Sequence, residues 1–204
     1  MPTVSNPCYF DIDTQVDFLF PAGALYAPGA DRLIPTLAAL NHHAAAHGYR
    51  LISTTCAHPE TAEEFKVWPP HCIVGTVGQT KPAATLLHSR LTIPCTPIPL
   101  PEITAQQIIL EKNELDLFTN PNLIPLLNAL NITDCTVYGV LTEYCVQHAA
   151  MGLLSTGRRV RLVTDAIHHL SVIAAEEMLT AFKARGRGTV NYRRNSAGLK
   201  QWRS

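Results

Sequence analysis

The feature that most constrains the fold is an alternation along the chain. Short β-like runs, several of them rich in Ile, Val and Leu, are each followed by a longer stretch with helical spacing. Residues 8–13, 50–55, 107–112, 135–140 and 159–164 read as strands, and 189–192 as a sixth, edge strand. Between them, residues 30–47 carry Leu33, Ile34, Leu37 and Leu40 at helical spacing, and Gly48 closes that helix. Asn120 and Pro121 open a helix over 121–130, Thr142 is expected to cap one running to Thr156, and 173–184 reads as an amphipathic helix. Such alternation implies a three-layer α/β sandwich: a mostly parallel sheet of about six strands with helices on both faces. No repeat, low-complexity stretch or linker divides the chain, so residues 1–204 are expected to form one domain.

In open sheets of this kind, ligands bind beyond the carboxyl ends of the strands. Three chemically capable residues fall at such ends. Asp13 closes the first apolar strand, Lys112 closes the run Ile108-Ile109-Leu110-Glu111, and Cys145 follows the fourth strand at the start of the expected helix. Taken singly, each also fits a structural role: a carboxylate capping a turn, an amine reaching solvent along its aliphatic stem, a small buried thiol. Together they make a workable set. A helix start favours a thiolate at Cys145, Asp13 can take its proton, and Lys112 can hold the thiolate and position the carboxylate.

Charge and composition narrow the partners. Lys plus Arg and Asp plus Glu are each 16, and the formal net charge is zero, which gives no support to a nucleic acid or an anionic membrane as partner. The cluster Lys183, Arg185, Arg187, Arg193 and Arg194 is read as a solvated surface. Neither a basic leader followed by an apolar stretch nor a run of about 20 apolar residues is present, so a cytoplasmic location is expected. The six cysteines form no CxxC pair and are expected as reduced thiols. Dinucleotide, P-loop and serine-elbow motifs are absent.

Four segments, in order, resemble those of one family. Asp13-Thr-Gln-Val-Asp17-Phe18 is similar to the D-x-Q-x-D-F opening of the isochorismatase-like cysteine hydrolases, a superfamily that includes nicotinamidases. Residues 20–30 resemble the segment that follows it. Trp68-Pro-Pro-His71-Cys72-Ile-Val-Gly75-Thr76-Val-Gly78 resembles W-P-x-H-C-x-x-G-T-x-G, and Gly139-Val-Leu-Thr142-Glu143-Tyr-Cys145-Val146 resembles G-x-x-T-[DE]-x-C-V. The likeness runs from about residue 8 to about residue 190.

The resemblance implies that Asp13 is the base, Lys112 its partner and Cys145 the nucleophile. It also implies a cis peptide between Val140 and Leu141, with the Leu141 and Cys145 amides as an oxyanion hole. Phe18 and Trp68 match aromatic residues that sandwich the substrate ring, with core packing as the alternative. The family's metal ligands follow D-x-H … [HE] … H; here the Asp position is Cys56, followed by His58, Glu64 and His71. That set suits zinc better than magnesium, because a thiolate discourages harder ions. The alternative is that Cys56 merely ends a buried strand and the site is weak or empty.

The expected activity is hydrolysis of a small flat amide, nicotinamide to nicotinate and ammonia, by a homo-oligomer. Two alternatives stay open: a sister amidohydrolase acting on a maleamate- or ureide-type compound, and a non-catalytic binding subunit.

Overall fold

A computed structural model describes residues 5–185 and 188–192. Its frame is one sheet of seven strands, all pairings parallel, in the order β3-β4-β2-β1-β5-β6-β7: β1 (Pro7–Ile12), β2 (Arg50–Cys56), β3 (Arg90–Ile93), β4 (Gln107–Lys112), β5 (Asp134–Val140), β6 (Arg159–His168) and β7 (Gly188–Val190). The helices are α1 (Val16–Leu19), α2 (Ile34–Ala46), α3 (Leu123–Ala129), α4 (Gln147–Ser155) and α5 (Val172–Ala184).

The pleat sorts side chains into two cores. From β1, Cys8, Phe10 and Ile12 join Leu126 and Leu127 of α3, Ala149 and Leu153 of α4, and Phe182 of α5. Tyr9 points the other way and packs with Leu37, Leu40 and Ala44 of α2. Alternate residues of a strand face opposite sides, so a strand buried on both faces must be apolar almost throughout. Each of these large side chains, fully buried, contributes about 1.5–3 kcal/mol.

The topology determines where a site can form. The chain leaves β1 for β2 on one side and later fills β5 on the other, so β1 stands at the point where strand order reverses. A crevice opens at such a point beyond the carboxyl ends. Register brings those ends level: Cys56 pairs with Lys112, and Ile12 with Gly139. Gly139 has φ +122°, and a Cβ there would lie 2.1 Å from the Ile12 carbonyl oxygen, so the close approach of β5 to β1 requires glycine.

Several boundaries differ from the expectations. The seventh strand, β3, is a short edge element with two of its four residues exposed, too brief for its alternation to stand out. Regular helix α3 starts at Leu123, and Asn120 anchors the turn before it: its Oδ1 accepts from the Asn122 amide at 2.7 Å, and its Nδ2 donates to the carbonyls of Pro94 and Glu111 at 3.0 and 2.7 Å. Thr142 does not cap a helix: its hydroxyl donates to the His168 carbonyl at 2.9 Å. Residues Thr142–Val146 form a wide turn with Tyr144 at φ −123°, ψ −107°, and regular helix begins at Gln147. Of the basic cluster, Arg187, Arg193 and Arg194 lie outside the described residues. No described helix is long and apolar enough to cross a membrane. All six cysteines are free thiols.

Candidate active site

Asp13 follows the last residue of β1 with φ +48°, an unusual conformation for a residue with a Cβ. The Thr54 hydroxyl holds it there, accepting from the Asp13 amide at 3.0 Å and donating to Oδ1 at 2.5 Å. The second carboxylate oxygen, Oδ2, lies 2.9 Å from Lys112 Nζ. Lys112 is buried, and its ammonium also donates to the Glu114 carbonyl at 2.8 Å, to Cys56 Sγ at 3.3 Å and to Cys145 Sγ at 3.6 Å. The peptide between Val140 and Leu141 is cis.

The electrostatics follow from burial. Loss of water pushes the Cys145 thiol well above its ordinary range, and the Lys112 ammonium only partly offsets this. Burial and the neighbouring Cys56 raise Asp13 against the opposing pull of Lys112 and Thr54. Burial alone would lower Lys112, but Asp13 and the two thiols more than reverse that, so it stays charged. Burial thus opposes the thiolate that a helix start would favour at Cys145. Beside it stands a carboxylate whose affinity for protons burial has also raised.

A second group adjoins this one. Ligand atoms of Cys56, His58 and His71 lie within 4.8 Å of one another, all buried. Glu64 reaches them, with Oε1 3.6 Å from His71 Nε2 and Oε2 3.9 Å from His58 Nε2. The local chain explains the convergence. His58 donates its amide to the Cys72 carbonyl at 3.1 Å and accepts from Val74 at 3.0 Å, which lays residues 72–74 alongside it. Pro69 and Pro70 keep the preceding chain extended, so His71 arrives facing His58. The His71 Nδ1 is 2.8 Å from the Pro69 carbonyl, leaving Nε2 as a lone-pair donor.

These residues fit a metal ion. Both ring nitrogens of His58 are buried with no hydrogen-bond partner among the described residues, a costly state that coordination would relieve. Hydrogen bonding from the Cys72 thiol, aided by Lys112, His58 and His71, holds the Cys56 thiol well below its usual range despite burial. A thiolate with two imidazoles and a carboxylate is a zinc-type donor set.

Both groups border one pocket, walled also by Phe18, Leu25, Trp68, Leu115, Tyr144 and Leu170. Phe18 tilts against His71 with ring centroids 5.3 Å apart, and Trp68 meets Tyr144 edge-on at 5.5 Å. All the residues singled out from sequence thus meet at one place. Tyr144 and Leu25 were missed, although both lie inside segments quoted above. Leu115 and Leu170 gave no signal, because nothing local marks a loop residue that becomes a wall only after folding.

Two motif residues prove to be scaffold. The Gln15 carboxamide brackets the Cys56 backbone, accepting from its N–H at 2.7 Å and donating to its carbonyl at 2.9 Å. Asp17 accepts from the amides of Ala24 at 2.9 Å and Cys72 at 2.6 Å, tying the two pocket loops together.

The isochorismatase domain family model matches residues 94–191. The fold is close to that of the pyrazinamidase of Pyrococcus horikoshii in complex with zinc, with a TM-score of 0.76 and 26% identity, covering 91% of this chain and 99% of that one. This chain is therefore similar to the isochorismatase domain over residues 94–191 and shares the fold of isochorismatase-like proteins. Nicotinamidase from Bacillus subtilis (TM-score 0.78, 22% identity, 91% and 99% covered) and N-carbamoylsarcosine amidase from Thermoplasma acidophilum (0.74, 19%, 91% and 96%) share the same fold. A search of curated proteins found no match.

Proposed function

We propose that this isochorismatase-like protein is a cysteine amidohydrolase whose preferred substrate is a small, flat, uncharged amide, with nicotinamide as the leading candidate. The observation that carries the reading is the Asp13–Lys112–Cys145 set, linked at 2.9 and 3.6 Å on the wall of an apolar, aromatic-lined pocket.

Asp13 removes the Cys145 proton as Sγ attacks the amide carbonyl, so the thiolate forms only as it is consumed. The Leu141 and Cys145 amides receive the developing oxyanion. Lys112 keeps Asp13 in place and supplies fixed positive charge beside the sulfur. Collapse expels ammonia, protonated through Asp13. Water, deprotonated by Asp13, then cleaves the thioester, and the acid leaves with Cys145 restored. Phe18 and Trp68 flank a planar ring. Cys56, His58, His71 and Glu64 would hold zinc, which supplies a Lewis-acidic docking point for a ring nitrogen.

Amides that carry a carboxylate fit less well. The charged side chains lining the pocket are Asp13 and Glu64, no arginine is among the described lining residues, and Lys112 is engaged by Asp13. The test is ammonia release from a panel containing nicotinamide, pyrazinamide, maleamate and a ureido acid, with and without added zinc. Release from the two ring amides supports the reading. Turnover confined to the acidic amides, or none, overturns it.

A further inference from the structure

The wide turn that carries Cys145 also carries a carboxylate used neither in the chemistry nor in the metal cluster. Glu143 Oε1 accepts two backbone hydrogen bonds, from Leu170 at 2.8 Å and from Ser171 at 2.7 Å. Its other oxygen is shielded from water and has no hydrogen-bond partner among the described residues, so the side chain is committed to those two amides. They stand at the start of α5, where Ser171 itself caps the helix by accepting from Ala174 at 3.3 Å. A carboxylate there is favoured by the helix dipole as well as by the two donors.

The segment so held is a wall of the pocket. Leu170 lines it, yet is 43% exposed. Its neighbour His168 is tied at both ends: its carbonyl accepts from Thr142, and its Nε2 lies 3.0 Å from the Pro28 carbonyl. Thr142 and Glu143 together thus fasten residues 168–171 to the turn that bears the nucleophile.

We infer that Glu143 is a positioning residue that fixes Leu170 against the substrate, so that pocket shape and nucleophile are set by one turn. The inference rests on the amidohydrolase reading for its kinetic part and on geometry alone for the clamp. Removing Glu143 frees the Leu170 wall without touching Asp13, Lys112 or Cys145. Binding should weaken while chemistry on bound substrate continues.

The experiment combines kinetics with amide hydrogen exchange on the full chain. Glu143→Ala should raise KM for nicotinamide by about tenfold, the scale of a lost apolar contact, with kcat little changed. Leu170 and Ser171 amides should exchange faster, and Cys145 alkylation should keep its rate. Glu143→Gln, which retains an acceptor oxygen, should recover most of the wild-type KM and protection. Glu143→Asp, too short to reach both amides, gives the same test where the alanine variant does not fold. Leu170→Ala should raise KM as well, and adding Glu143→Ala to it should cost little more. Unchanged exchange at Leu170 and Ser171 in both Glu143→Ala and Glu143→Asp overturns the clamp. So does a loss of kcat at constant KM, or full additivity with Leu170→Ala. If wild-type protein releases no ammonia from any amide, that failure belongs to the catalytic reading, and the exchange result alone decides the clamp.

Discussion

Cys56 Sγ lies 3.3 Å from Lys112 Nζ, closer than Cys145 Sγ at 3.6 Å. An ammonium has three protons to donate. With Asp13 and the Glu114 carbonyl already engaged, two sulfurs share what remains. One thiol therefore borders both the catalytic ammonium and the histidine cluster, and the consequences of each cysteine can be separated.

Cys145→Ala and Cys145→Ser should abolish turnover and leave the fold intact, since the attacking atom is gone or exchanged for a far weaker nucleophile. Cys8, Cys95 and Cys135 changed singly to Ala should each retain most activity. Ammonia release across these variants checks the assignment. Wild-type rates in Cys145→Ala would end it.

Lys112→Ala should slow iodoacetamide labelling of Cys145 near neutral pH. The ammonium is what pulls the Cys145 thiol down against burial, so its loss pushes the thiol higher still. Mass spectrometry of the Cys145 peptide reads the rate. Asp13→Asn should fold, judged by its circular dichroism, and fail to turn over. Equal labelling with and without Lys112, together with normal turnover in Asp13→Asn, would make both residues bystanders.

Turnover should fall on the acid side at a higher pH than an ordinary carboxylate would give. Burial raises Asp13, and the base works only when deprotonated, so activity is present above the raised value and lost as pH falls through it. Thr54→Val removes the hydrogen bond that favours the charged form and should move the acid limb further up. A kcat/KM profile reads both shifts. An acid limb at the free-carboxylate position would detach Asp13 from the profile.

Purified protein should carry up to one equivalent of zinc. His71→Ala should lower it sharply, because that residue closes the cluster with Cys56 and His58. Replacing the thiolate by Cys56→Asp should shift preference from zinc toward harder ions. Nicotinamide turnover should follow the metal content, while Cys145 alkylation should not. Full activity in protein shown by elemental analysis to hold no ion would remove His58, Glu64 and His71 from the ligand list.

Far from the pocket, Asp134 should contribute acid-sensitive stability. Burial alone would raise it, but Arg159, Thr133 and Ser5 hold it below its usual value. A carboxyl depressed by folding stabilises the protein above its unfolded value and loses that contribution as pH falls through the folded one. Wild type should therefore exceed Asp134→Asn in urea stability near neutral pH, and the two should converge in acid. Parallel curves would show that the cluster adds nothing.

The sequence by itself determined the layered α/β plan and the chemical inventory of the site. Strand periodicity is local, and so is the placement of Asp13 and Lys112 where the apolar runs of β1 and β4 stop. Cys56, His58, Glu64 and His71 were legible as ligand types for the same reason: donor chemistry belongs to the residue. Only the tertiary structure decided what those groups do to one another. The wide turn at 142–146 is held in part by Thr142 bonding to His168, 26 residues away, a contact that no local propensity encodes. The upward push on the Cys145 thiol comes from burial summed over the whole domain, which works against the local preference of a helix start for a thiolate. Leu115, Leu170 and the Glu143 clamp were invisible for one physical reason: a pocket wall is defined by distance across the fold, and residues far apart in sequence become neighbours only when β1 and β5 close at Gly139.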